Sequence, residues 1–372
     1  MVEKWNLVDT TLREGEQRPG VIFSLATKKK IVDWLVKIGV PEIELGIASP
    51  LDEELPTLLA YCRNHYPKQI VSLWSMCRPD DLQYVSKLRP DRVSLSIPVS
   101  DIHLTERLGK NRQWALQAVT KAVTCLADSG LQVCIGFEDA TRADRTFLCE
   151  ITSHVSDLKV FRVRLADTVG ILSPSSTIEL VRKLLPCAGK SKLGLHTHND
   201  FGMATANAVA GFEAGAQWAD AALLGFGERA GCARLEELVG WIGIQKMDQR
   251  YSTKYLREAT EYFAKTTGFI IPESWPLVGS KLFTCESGLH VHGLQKNPDI
   301  YEPYAPEYVG ATRLLNIGSK SGKAAVLGRL RRLGYSELPE NMEKHVREIR
   351  SRSKHLGRSL TDNELIEIVK AG

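Results

Sequence analysis

The chain has 372 residues, 43% of them hydrophobic, enough for one large α/β domain with an appendage or for two ordinary domains. Its 48 basic and 44 acidic residues leave a net charge of +4, which argues against a dedicated nucleic-acid binder and points to a small ligand. The start "MVEKWNLVDTT" lacks the charged and apolar regions of a secretory signal, and no run approaches eighteen apolar residues, so a soluble, cytoplasmic protein with no membrane or nucleic-acid partner is expected. Eight cysteines without CxxC spacing should be mostly reduced and buried.

Taken in chain order, eight short runs rich in Val, Ile and Leu read as strands: residues 7–11, 41–47, 70–76, 91–97, 131–137, 160–167, 193–198 and 218–225. Between them lie segments with apolar residues at three-to-four spacing, such as "SLATKKKIVDWLVKIG" and "DFGMATANAVAGFEAG", which read as helices ending in Gly. Strict alternation of strand and helix implies parallel strands covered by helices, and eight of them predict a closed (β/α)8 TIM barrel over residues 1–270. Residues 271–335 are punctuated by Pro and Gly and form a linker or subdomain. Residues 336–372 read as a small helical subdomain, with a capping box from Thr361 to Glu364 and a basic run, Arg347 to Arg358, taken as a solvated helix face.

A barrel of this kind does its chemistry where strands end. Polar residues gather there: Asp9, Arg13 and Glu14 after the first run, Glu44 and Ser49 at the second, Glu138 and Asp139 at the fifth. Asp167 and Thr168 follow at the sixth, His196, His198, Asn199 and Asp200 at the seventh, and Glu228 and Arg229 at the eighth. Alternate strand residues face the same side, so His196 and His198 converge on one ion, and Glu14, only two strands away around the barrel, is the natural third ligand. Two imidazoles favour zinc, manganese or iron, and the carboxylate keeps magnesium plausible. Such a centre suits a substrate with adjacent carboxylate and keto oxygens, with Arg13 stabilising the oxygen that gains charge.

Six segments then carry a resemblance: "DTTLREGEQRPG", "EDATRAD", "LADTVG", "HTHNDFGMATANA", "GFGERAG" and "ESGLHVHGLQKNPDIYEP". In this order, from residue 9 to residue 303, they are similar to the homocitrate and isopropylmalate synthase family, metal-dependent enzymes that join acetyl-CoA to a 2-oxo acid by a Claisen-type condensation. The resemblance implies Glu14, His196 and His198 as metal ligands and Arg13 as the group that polarises the keto oxygen. It implies Gln17, Glu44 and Thr168 in the substrate pocket, and Glu138, His290 and Tyr301 as the group that removes a proton from the acetyl methyl and manages the enolate. It also implies a homodimer with intertwined C-terminal parts.

"REGEQ", "VCIGFEDATRAD" and "NPDIYEPYAPEYVG" resemble short homocitrate synthases, and the length leaves little room for a leucine-responsive domain, so 2-oxoglutarate is the expected acceptor. Cys134 stands where lysine-pathway homocitrate synthases have an Arg, and no counterpart of their distal-carboxylate Arg is evident. His103 and Arg107 are the candidates for that role. Cys232 replaces an Asn near the metal, and His292 has no assigned role. Other 2-oxo acids (2-oxoisovalerate, pyruvate, oxaloacetate) remain alternatives, as do an acyl-CoA lyase on the same barrel and an inactive metal-binding scaffold.

Overall fold

The structure, a computed structural model, describes residues 5–286, 293–294, 296–335 and 341–370. It divides into two compact units, residues 1–270 and 271–372.

In the first unit eight parallel strands close into a barrel in sequential order. They are β1 (Asn6–Asp9), β2 (Glu42–Ile47), β3 (Ile70–Met76), β4 (Arg92–Pro98), β5 (Gln132–Glu138), β6 (Arg162–Asp167), β7 (Lys192–Thr197) and β8 (Trp218–Ala221). Closure is made by β1 pairing with β8, Val8 opposite Asp220, so β1 and β7 are separated by β8 alone. Helices α1 (Leu25–Ile38), α2 (Leu55–His65), α3 (Pro79–Leu88), α4 (Arg112–Leu126), α5 (Arg145–Asp157), α6 (Pro174–Leu184), α7 (Ala204–Glu213) and α8 (Leu235–Gly240) follow the strands in turn, and α9 (Leu256–Thr267) packs on α1.

Local chemistry explains the helix limits. Ser24 accepts the Thr27 N–H at the start of α1, whose buried Ile31, Val32, Leu35 and Ile38 share one face. Ser173 and Ser176 form a reciprocal cap ahead of Pro174 in α6. Gly211 on α7 allows close approach to β7, since a Cβ there would stand 1.8 Å from Leu195 Cδ1.

The barrel interior is ionic in its lower part. Glu42 accepts two 2.9 Å hydrogen bonds from Arg162 and one of 2.6 Å from Arg92, and all three side chains are buried. The Arg92 guanidinium lies 3.9 Å from the Phe161 ring centroid, and that of Arg162 lies 4.6 Å from the Trp218 centroid. Gly194 leaves room for Arg162, whose Cδ would stand 3.0 Å from a Cβ at that position. Burial alone would push the Glu42 carboxyl up, but the two arginines outweigh it and hold it at about 2.

The expectation for cysteine is corrected at one pair: Cys149 on α5 and Cys187, just after α6, form a disulfide with Cα atoms 5.6 Å apart. Both lie on outer helical segments, where side chains from adjacent helices meet. Of the six free cysteines, Cys62, Cys134 and Cys232 are buried, Cys77 and Cys285 are half-buried and Cys125 is exposed, because it falls on the outer face of α4. Among the described residues no helix is long and apolar enough to cross a membrane.

In the second unit two short parallel strands, β9 (Thr284–Cys285) and β10 (Leu314–Leu315), accompany helices α10 (Lys323–Arg332), α11 (Met342–Leu356) and α12 (Asp362–Lys370). One hydrophobic cluster, including Ile317, Val326, Leu330, Met342, Ile349, Leu365 and Ile368, joins these helices. The Thr361–Glu364 capping box is present, with Glu364 accepting the Thr361 N–H at 2.8 Å. The basic residues of α11 are exposed, opposite its buried Met342, His345, Ile349 and Ser353.

Candidate active site

The site begins with the turn after β1. The Thr10 carbonyl accepts the N–H groups of Arg13, Glu14 and Gly15, which folds the chain back over the barrel mouth. Asp9 accepts from Thr11 N at 2.9 Å and Oγ1 at 2.8 Å, while Thr11 Oγ1 accepts the Leu223 N–H and ties this turn to the end of β8. Burial is the main reason the Asp9 carboxyl is pushed up to about 7.

At the end of β7, His196 lies on the strand, and His198 just beyond it forms a bridge with Cys232. Asn199 receives the Ala204 N–H at 3.1 Å and donates its own N–H to the Gly231 carbonyl. Asp200 accepts two 2.9 Å hydrogen bonds from Arg229, which also donates to the Thr168 carbonyl. Asn199 and Asp200 thus lock the loops after β6, β7 and β8 around the two histidines.

Glu14, His196 and His198 bring one ligand atom each to within 4.8 Å of one another, and all three are buried. Asp220 sits 2.9 Å from His196 Nδ1, so the bare lone pair of that ring belongs at Nε2, 3.6 Å from Glu14 Oε2. His198 Nδ1 is buried with no hydrogen-bond partner, and its ring stands almost perpendicular to that of His196. Burial and then His196 push the His198 pKa down to about 4, so the imidazole is neutral at pH 7. Burial would raise the Glu14 carboxyl, but Arg13 and the two histidines hold it at about 2, an anionic ligand. An unsatisfied buried imidazole nitrogen, an oriented second imidazole and a carboxylate fit a divalent cation.

Glu14 and His196 belong to a closed ring of polar and charged groups. Arg13 donates to Glu14 and, from Nε at 2.7 Å, to Glu44. Arg164 donates to the other Glu44 oxygen at 2.9 Å and lies 2.9 Å from Asp220 Oδ2, which returns to His196. Glu44 is fully buried, and its two arginines outweigh the effect of burial, holding the carboxyl well below its ordinary range.

A cavity of about 360 Å³ opens above this ring. Of the residues singled out in the sequence, Arg13, Glu14, Gln17, Arg107, Glu138, Thr168, His196, His198 and Glu228 line it. Glu44 lies beneath, spent on Arg13 and Arg164. His103 is not brought to the cavity: it lies 3.8 Å from Asp139 and 3.5 Å from Arg142. Tyr301, 43% exposed, follows a short turn at Pro298–Ile300 in the second unit. His290 and His292 lie outside the described residues. Cys134 is buried lower in the barrel beside the Arg162 layer, its thiol pushed up to about 11 by burial. The Cys232 thiol is also pushed up by burial and by Glu14, and it contacts the Phe226 carbonyl at 3.4 Å, as a small buried side chain would. Arg164 and Asp220, together with Trp74, Met76 and Ser96, were not singled out in the sequence. The signal for the first two was a charged residue within an otherwise apolar strand run.

The family model described as HMGL-like matches residues 4–262, and one described as homocitrate synthase post-HMGL domain-like matches residues 277–359. The chain belongs to the HMGL-like family, and barrel, cluster and cavity together define it as an enzyme of that family. The 2-isopropylmalate synthase 2 of Caldanaerobacter subterraneus subsp. tengcongensis is 39% identical over 97% of this chain and 94% of its own length. Homocitrate synthase 1 of Nostoc sp. is 39% identical over 97% of this chain and 96% of its own. An HMG-CoA lyase from Acenitobacter baumannii, solved with coenzyme A and 3-methylmalate, shares the barrel fold, with a TM-score of 0.65, 19% identity and coverage of 73% of this chain and 93% of that one. Within the family this chain is an acyltransferase of the condensing-synthase type, in which the transferred acyl group becomes an alkyl group.

Proposed function

We propose that the chain condenses acetyl-CoA with 2-oxoglutarate to give homocitrate and CoA. The observation that carries this reading is a single cavity lined by the Glu14–His196–His198 cluster, Arg13 and the Glu138 carboxylate. A divalent cation held by the three ligands would supply Lewis acidity to the keto oxygen and charge for the neighbouring carboxylate. Arg13 keeps N–H groups beyond those given to Glu14 and Glu44, and they stabilise the keto oxygen as it becomes an alkoxide. Thr168 accepts the Asp139 N–H at 2.8 Å, leaving its own O–H to donate to the substrate carboxylate, with Gln17 beside it on the cavity wall.

Glu138, with His290 and Tyr301, takes a proton from the acetyl methyl. The C–H electron pair becomes the new bond to the keto carbon, the alkoxide takes up a proton, and water attacks the thioester carbon so that CoA leaves as the thiol. His290 and Tyr301 belong to the second half of the chain, and in this reading they reach the barrel of a partner subunit in a homodimer. Mixed dimers of Glu14→Ala and His290→Ala chains should then recover turnover that neither variant has alone; mixtures that stay inactive argue against sharing.

The acceptor is tested by thiol release from acetyl-CoA with a divalent metal and a panel of 2-oxo acids. Preference for 2-oxoglutarate supports homocitrate formation. A second reading, condensation with 2-oxoisovalerate, is favoured by the apolar Trp74, Met76 and Leu95 on the same cavity wall. Preference for that acid would replace the first reading, and absence of thiol release with every acid would turn attention to acyl-CoA cleavage.

A further inference from the structure

Three arginines are found among the described residues lining the cavity. Two are committed below it: Arg13 to Glu14 and Glu44, and Arg164 to Glu44 and Asp220, and both are at least nine-tenths buried. Arg107 differs. Its side chain is half exposed, on the short helical turn His103–Arg107 after β4, and its guanidinium donates to Glu138 Oε2. The other Glu138 oxygen accepts the Ser96 hydroxyl at 2.9 Å. Both oxygens of the carboxylate that must serve the acetyl proton are therefore engaged, one of them by a cation free to swing into solvent.

We propose that Arg107 is both the anchor for a distal substrate carboxylate and a gate on Glu138. The inference rests on the condensation with a 2-oxo acid proposed above. A 2-oxo diacid seated by its keto end on the Arg13 and Glu14 side presents a second carboxylate within the same cavity. Arg107 exchanges one carboxylate for another at little net electrostatic change, and Glu138 Oε2 is released. A monocarboxylic 2-oxo acid fills the keto end without drawing Arg107 away. Acetyl-CoA is thereby protected from enolisation until a diacid is in place.

The test separates the gate from the acceptor. Exchange of the acetyl-CoA methyl protons with D2O is followed by NMR in metal-loaded enzyme, alone, with lactate, or with 2-hydroxyglutarate as a diacid that has no keto carbon to attack. The wild type should exchange only with 2-hydroxyglutarate, whereas Arg107→Ala and Arg107→Gln should exchange in all three conditions. The same variants should lose roughly 30-fold in kcat/KM preference for 2-oxoglutarate over 2-oxoisovalerate, the lower end expected for truncating one partner of a charge pair. Exchange by the wild type without a diacid, or none by either variant without one, overturns the gate whichever acid the turnover panel prefers. An unchanged preference ratio in both variants overturns the anchor, and a monoacid preference in the wild type overturns the substrate reading instead.

Discussion

Asp220 Oδ2 lies 2.9 Å from His196 Nδ1, and the same oxygen lies 2.9 Å from Arg164 Nε. One carboxylate oxygen therefore sets the tautomer of the His196 ring, the proposed metal ligand, and fastens it to the barrel's charged interior. Asp220→Ala should weaken divalent-metal binding by about 10- to 100-fold, the usual cost of losing such a partner. Asp220→Asn, which can still accept the Nδ1–H, should recover most of it. Chelator competition measures both, and equal affinities in wild type and Asp220→Ala would refute the assignment.

Removal of the metal by chelation should abolish turnover, and readdition of zinc, manganese, iron or magnesium should restore it to an extent that identifies the preferred ion. In His198→Ala the same additions should restore nothing. Metal at a hundredfold excess over its dissociation constant stabilises the fold by about 2.7 kcal/mol, so thermal melts with and without metal should separate in the wild type and coincide in His198→Ala.

Asp9 predicts a pH effect on stability. Its pKa is raised from 3.8 to about 7, chiefly by burial. The folded state binds a proton that the unfolded state releases, so this contribution is full below pH 3.8 and declines as the pH rises through about 7. Asp9→Asn mimics the protonated carboxyl. It should match the wild type in melts below pH 3.8 and exceed it by a margin that widens up to about pH 7; a margin that does not grow over that range would show that the folded carboxyl keeps its ordinary pKa.

Arg162 and Glu42 form a buried pair, and removing one partner alone should be severe. Arg162→Met should cost about 3 kcal/mol or more in urea unfolding, as expected when a buried ion loses its partner. Adding Glu42→Gln should return part of that loss, a coupling that a double-mutant cycle reads directly.

The barrel and the convergence of Glu14, His196 and His198 were legible for physical reasons. Eight apolar runs separated by amphipathic segments leave little choice of topology, and the two-residue spacing of His196 and His198 puts both rings on one side. Strand ends were less legible. The first run was read through Thr11 and the eighth through Gly225, yet β1 stops at Asp9 and β8 at Ala221. Past those points backbone hydrogen bonds turn inward: three N–H groups converge on Thr10, and Leu224 adopts a positive φ of 54°.

The inner half of the site was hidden by a reasonable rule. In "VFRVRLAD" the charged residues alternate with Val and Leu, the pattern of a strand with one solvated face. In this barrel the apolar face packs outward on helices, and Arg162 and Arg164 point into a closed interior where only Glu42, Glu44 and Asp220 can neutralise them. His103 and Arg107 could not be separated in sequence, being four residues apart on one turn. The fold sends the first to Asp139 and the second to the cavity.

The ring beneath the cavity has a consequence for how such a scaffold diversifies. Each of its members is held by two others, so no single replacement leaves the remainder balanced, and a change of chemistry there would require several simultaneous substitutions. The rim is built differently: Trp74 and Met76 of β3, Ser96 of β4 and Arg107 on the turn that follows it touch the cavity outside that ring and can be exchanged one at a time. New acceptor specificities therefore arise most readily at the rim, by single steps, while the condensing machinery beneath is inherited as a block.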